Sequence, residues 1–190
     1  MKSSSKPTPA SPQNPALSPS HLDFPVVGIG ASAGGLEAVQ AFFQRVPENC
    51  GMAFVVVLHL SPDHQSQADR LIQRVTRMPV CQVSEPVPIE RDHVYVISPA
   101  NRLSTNDGYL RVSPARRSRG DHVAIDLFFR DLADVHKDHA FCVILSGSGS
   151  DGAVGLSRIK EQGGVTLVQS PDDAQYLTCP RPPSPPAWST

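Results

Sequence analysis

The sequence predicts a doubly wound α/β fold: a mainly parallel sheet with helices on both faces and an antiparallel hairpin excursion. Three observations predict it. Short continuous apolar runs at Val26–Ile29, Ala53–Leu58 and Phe141–Leu145 read as strands buried on both faces. Each is followed by apolar residues at helical spacing, and strand–helix alternation in that order makes a parallel sheet. Between the second and third runs, short strands broken by Pro, Asn and Gly interrupt the rhythm.

In chain order, Val26–Ile29 ends in glycines and leads to a helix carrying Leu36, Val39, Phe42, Phe43 and Val46, closed by Pro47. The valine-rich strand Ala53–Leu58 follows. The turn Ser61-Pro62-Asp63-His64 leads to a helix with Ala68, Leu71, Ile72 and Val75 on one face. Val80–Val83, Val94–Ile97, Arg102–Thr105 and Tyr109–Val112 are expected to form the excursion of one or two hairpins, with Asn106-Asp107-Gly108 as a turn signal. Asp121 is a candidate cap for a helix through Ile125, Phe128, Phe129, Leu132 and Val135. After Phe141–Leu145 come a Gly/Ser loop, a helix with Val154, Leu156 and Ile159 that Gly163-Gly164 ends, and a last strand Val165–Val168.

Composition sets the boundaries. The chain has 190 residues and 19 prolines, with six between Pro7 and Pro25 and five between Pro180 and Pro186. Proline forfeits backbone hydrogen bonds, and such segments bury little apolar surface. Residues 1–24 and 181–190 are therefore expected to be tails around a folding unit at 25–180. Seventeen basic and 18 acidic groups give a net charge of −1, which argues against nucleic acid as a partner. The longest apolar run, Met52–Leu58, is too short to span a bilayer, so no direct membrane insertion is expected. Lys2 and Lys6 have no apolar stretch behind them and do not make a signal peptide. Cys50, Cys81, Cys142 and Cys179 form no C-x-x-C and read as reduced, mostly buried thiols of a cytoplasmic protein.

Three strand ends carry the chemistry. Gly30-Ala31-Ser32-Ala33-Gly34-Gly35 follows the first strand, His59 the second, and Ser146–Gly152 with Asp151 the third. Ligands of open α/β sheets bind beyond the carboxyl ends of strands, so Ser32, His59 and Asp151 can share one rim. A serine hydroxyl needs a base, imidazole is one near neutral pH, and a carboxylate fixes its tautomer. Gly30-x-Ser32-x-Gly34 between strand and helix has the form of a nucleophile elbow, with helix N–H groups behind it for an oxyanion. Taken singly, Ser32 and Asp151 read as helix caps and His59 as a hydrogen-bonded histidine. A competing reading takes Gly28-x-Gly30 with Gly34 as a dinucleotide fingerprint, but His59 and Leu60 stand where an acidic residue is expected. His136 with His139, and His59 with His64, lack a metal-spaced carboxylate or cysteine cluster and read as solvent-facing. Arg116, Arg117 and Arg119 read as a solvated loop, or as a contact for an acidic partner surface.

Three segments together, Val27–Gly35, Leu58-His59-Leu60-Ser61-Pro62 and Ile144–Gly152, resemble the catalytic domain of the chemotaxis protein-glutamate methylesterase (CheB-type) family. The likeness extends to Val94–Pro99, Ile125-Asp126-Leu127-Phe128, and Gly163-Gly164-Val165-Thr166 with Gln169. It implies hydrolysis of γ-glutamyl methyl esters on the cytoplasmic helices of methyl-accepting chemoreceptors, with deamidation of receptor glutamines, and no cofactor. A chemotaxis methyltransferase or histidine kinase is a further partner of that setting. By motif position, Ser32 matches the nucleophile, His59 the general base and Asp151 its orienting residue. Ala33, Gly34, Ser148 and Gly149 fall at oxyanion and substrate-positioning places. Against the family pattern, residues 1–24 are expected to hold no receiver domain, Ala33 stands for a usual threonine, and Pro182–Pro186 fall where a helix is usual. The alternative expectation is a truncated, catalytically impaired remnant that binds a receptor or signalling partner.

Overall fold

Alternate residues of one central strand face two different cores, and the architecture follows from that division. The computed structural model describes residues 17–31, 35–58, 67–97, 101–114, 124–145 and 151–170. Its strands, in chain order, are β1 (Val26–Ala31), β2 (Ala53–Leu58), β3 (Val80–Val83), β4 (Val87–Pro88), β5 (Val94–Ile97), β6 (Asn101–Asn106), β7 (Tyr109–Pro114), β8 (Ala140–Ile144) and β9 (Val165–Val168). Its helices are α1 (Gly35–Phe43), α2 (Ala68–Gln73), α3 (Ala124–His136) and α4 (Ala153–Glu161).

The main sheet runs β3-β5-β2-β1-β8-β9, with every neighbouring pair parallel. Val27, Ile29 and Ala31 of β1, with Phe54 and Val56 of β2, bury against Val39 and Phe43 of α1 and Ala68 and Ile72 of α2. The opposite face joins Val26, Val55, Val57 and Cys142 to Phe128, Phe129 and Leu132 of α3 and Ile159 of α4. Period-2 alternation thus sends the apolar residues of each central strand into both cores, which is why these segments are continuously hydrophobic.

The predicted fold class holds, with one correction. Val80–Val83 and Val94–Ile97 are not part of the antiparallel excursion; β3 and β5 pair in parallel and complete one flank of the main sheet. The excursion is smaller: β6 and β7 with the two-residue β4, a strand the sequence reading missed. Its turn is the expected one, with Asp107 at φ 47° and Gly108 at φ 75° between the paired Asn106 and Tyr109. Both angles are positive, as a tight hairpin twisted with its strands requires.

Residues 17–24, which composition assigns to a tail, lie packed on the body. Phe24 is buried in the α3-side core and Leu22 packs against it. Ser18 N–H donates to Asn106 Oδ1 (2.7 Å), Ser20 N–H to the Val135 carbonyl (2.9 Å), and Asp23 pairs with Arg91 at 2.7 Å. Proline and serine counts missed this because two apolar anchors are enough to hold a short strap. The thiols also differ from expectation: Cys142 is buried, but Cys50 is half-buried and Cys81 exposed.

His136 is a further correction, since it is buried rather than solvent-facing. Its Nε2 lies 3.0 Å from Thr105 Oγ1 where the hairpin docks on the end of α3. Burial, with a smaller contribution from His139, lowers its pKa from 6.5 to about 4. The unfolded chain takes up this proton below pH 6.5, whereas the folded chain does so only near 4. Stability from the neutral imidazole is therefore complete above pH 6.5 and is lost as pH falls toward 4. Urea titrations at pH 7 and pH 4.5 are expected to differ by about 2–3 kcal/mol more in the wild type than in His136→Asn.

Close helix contact gives a second prediction. A Cβ on Gly155 of α4 would lie 2.5 Å from Phe129 Cβ and 3.3 Å from the Asp126 carbonyl oxygen of α3. Alanine is the better helix former by up to about 1 kcal/mol, but here it must push two helices apart. Gly155→Ala is expected to destabilise by about 1–3 kcal/mol in a denaturant titration, opposite to its propensity.

Candidate active site

The site is built from the carboxyl ends of β1, β2 and β8. Ala31 and Leu58, the last residues of β1 and β2, are register partners. On the other side of β1, Gly30 pairs with Ile144, and the Leu145 N–H donates to the Gly30 carbonyl at 2.9 Å. The chain winds from β1 outward through β2, then returns to lay β8 on β1's other edge. That reversal is a topological switch point, where open α/β sheets leave a crevice beyond their strand ends.

Ser32 follows Ala31 in the chain and His59 follows Leu58. Ser32, Ala33, Gly34, His59, Ser148 and Gly149 lie outside the described residues, as do Asp121, His64 and the arginines at 116, 117 and 119. Asp151 is described, and it is held firmly. Its Oδ2 accepts the Ile125 N–H at 3.1 Å and its Oδ1 the Asp126 N–H at 2.9 Å. Both donors belong to the first turn of α3, whose N–H groups have no acceptor within the helix. The positive end of the helix dipole adds to the attraction for an anion. Hydrogen bonds to a charged group are worth roughly 1.5–3 kcal/mol each, enough to fix one rotamer. An ionised carboxylate has about four acceptor positions, so two bonds to α3 are compatible with its also orienting an imidazole.

The clasp is reciprocal. Asp126 Oδ1 accepts the N–H of Gly155, in the first turn of α4, at 2.7 Å. Gly152, which precedes α4, has φ 105°, a backbone that favours glycine. A Cβ there would also meet Ile144 Cδ1. So the turn from Asp151 into α4 is tight against the end of β8.

Sequence reasoning singled out Asp151 as a candidate but not the α3 partners of its carboxylate. The bonds to Ile125 and Asp126 span 26 and 25 residues, which no local capping pattern reveals. Gly28 and Gly30 of the first motif also have a packing role that the sequence reading does not assign. Gly30 lies inside β1, and a Cβ on it would sit 2.6 Å from Ile125 Cγ2; one on Gly28 would sit 2.9 Å from Phe129 Cε1. These glycines seat α3 on the sheet, which accounts for Gly28-x-Gly30 without a dinucleotide. Among the described residues, no group of three or more His, Cys, Asp or Glu side chains is placed to hold a metal, and no helix is long and apolar enough to cross a membrane.

The chain is 30% identical over 161 residues to a putative protein-glutamate methylesterase/protein-glutamine glutaminase of Leptospira interrogans, covering 84% of this chain and 83% of that one. It is 36% identical over 156 residues to protein-glutamate methylesterase/protein-glutamine glutaminase 2 of Burkholderia lata, covering 76% of this chain and 43% of the relative. The fold superposes on the crystal structure of the Thermotoga maritima CheB methylesterase catalytic domain with a TM-score of 0.74, at 20% identity, covering 82% of this chain and 85% of that one. The CheB methylesterase family model matches residues 27–183. With that match spanning most of the sequence, and a sheet that ends in an anchored aspartate at its switch point, the chain belongs to the CheB methylesterase family.

Proposed function

We propose that this chain is a serine hydrolase that removes methyl groups from γ-glutamyl methyl esters of chemoreceptor cytoplasmic helices, and deamidates receptor glutamines, in the cytoplasm. The observation that carries the reading is the Asp151 carboxylate, fixed on the N-terminus of α3, whose Ile125 packs on Gly30 of β1, the strand that leads into Ser32. The names of the relatives supply the substrate class, a protein glutamate ester or glutamine.

The chemistry follows from the three residue types. His59 takes the Ser32 hydroxyl proton as the oxygen attacks the ester carbonyl. Asp151 holds the imidazole in the tautomer that leaves its far nitrogen free to accept, and steadies the imidazolium that forms. Backbone N–H groups around Ala33, Gly34, Ser148 and Gly149 stabilise the oxyanion, each worth about 3 kcal/mol of barrier. Collapse expels methanol, protonated by His59, and leaves an acyl-Ser32. Water, deprotonated by His59, attacks that ester and releases the receptor carboxylate and the serine. A glutamine substrate takes the same path with ammonia as the leaving group.

Methanol release from a methylated chemoreceptor fragment tests this reading. Ser32→Ala and His59→Ala are each expected to lower kcat by about 10³-fold or more with the fold intact. Equal turnover by wild type and Ser32→Ala removes Ser32 as nucleophile. Receptor binding without wild-type turnover indicates a binding module instead.

A further inference from the structure

We propose that Asp126 is a positioning residue of this hydrolase, acting on the reaction through Asp151; the assignment rests on the serine-hydrolase reading above. Asp126 is engaged twice. Its backbone N–H donates to Asp151 Oδ1 at 2.9 Å, while its own Oδ1 accepts the Gly155 N–H at 2.7 Å. Asp151 and Gly155 are four residues, about one helical turn, apart on the same segment. The two bonds therefore tie both ends of that turn to one residue of α3.

The ring is referenced to the core. Phe128, Phe129 and Leu132 of α3 are fully buried, and Ile125 and Phe129 fill the space left by Gly28 and Gly30 of β1. Through Asp126, the first turn of α4 takes its position from the strand that leads into Ser32. Without the Asp126 carboxylate, the Gly155 end of the turn is released; the backbone N–H groups of residues 125 and 126 still hold the Asp151 carboxylate, but the turn that carries Asp151 is no longer fixed at its other end and can shift the carboxylate relative to α3. Misplacement of a catalytic group by about 1 Å can cost roughly 10²-fold in rate. The two acidic groups of the ring repel each other, but each accepts N–H groups at a helix N-terminus, where negative charge is favoured. A cap that served helix stability alone would not have its loss felt at Asp151.

The test is a mutant cycle on the full chain, with p-nitrophenyl acetate as the probe ester. Asp126→Ala is expected to lower kcat by about 10- to 100-fold with KM within about twofold. Asp126→Asn, whose Oδ1 can still accept from Gly155, is expected to keep kcat within about threefold of wild type. In an Asp151→Ala background, adding Asp126→Ala is expected to change kcat by less than about twofold, because the residue it acts through is gone. Wild-type kcat in Asp126→Ala, an equal loss in Asp126→Asn, or a full extra loss in the Asp151→Ala background overturns the proposal. If Asp126→Ala does not fold, Asp126→Glu replaces it: the acceptor moves by one methylene, and the same loss of kcat is expected. If wild type and Ser32→Ala hydrolyse the probe equally, the hydrolase reading fails. The positioning claim is then decided by amide hydrogen exchange at Ile125, which Asp126→Ala accelerates about tenfold or more if Asp126 holds Asp151 and leaves unchanged if it does not.

Discussion

Two helices begin at the same rim of the sheet, and each satisfies its first-turn N–H groups with a carboxylate from the other's segment. Asp151, two residues before α4, accepts from α3, and Asp126 in α3 accepts from α4. Helix N-termini need acceptors that they cannot supply themselves. Here that need fixes the one described residue of the candidate site in place. Asp151 is thus a cap and a candidate catalytic carboxylate at once. The two roles agree, because a carboxylate that must orient an imidazole needs its own orientation settled first.

The clasp depends on close approach, and close approach depends on missing side chains. Gly28 and Gly30 admit Phe129 and Ile125 to the surface of β1, and Gly155 lets α4 lie against Phe129. Added methyl groups at these places would lift α3 from the sheet or α4 from α3, and the N–H groups would leave their carboxylates. The packing of the α3-side core and the geometry of the rim are therefore one constraint. The opposite core, with α1 and α2, buries as many residues of the main sheet, whereas the α3 bonds to Asp151 lie on the other face.

Much of this was legible in the sequence. Continuous apolar runs marked β1, β2 and β8 because strands buried on both faces have no polar side to show. Asn106-Asp107-Gly108 marked the hairpin because only a few residue types accept two successive positive φ angles. Partnership was less legible. Val80–Val83 and Val94–Ile97 were recognised as strands, yet nothing local shows that they pair with each other in parallel across an intervening excursion. Val87–Pro88 is too short to leave a pattern. Burial of His136 depends on a hairpin folding back over the end of α3, and spacing along one helix does not contain that fact. Within the candidate site, Asp151 stands out in the sequence by its place after a strand. Asp126 stood in a recognised motif without a role, because its role is a bond across some 30 residues of chain.

The catalytic claim is tested most directly by covalent capture of the nucleophile with a fluorophosphonate, which phosphonylates a serine only when a base activates it. Peptide mass mapping of the full chain is predicted to show a single adduct on Ser32 that forms much more slowly in Asp151→Ala. No adduct, an adduct on another residue, or labelling of Ser32 at the same rate without Asp151 would contradict the account.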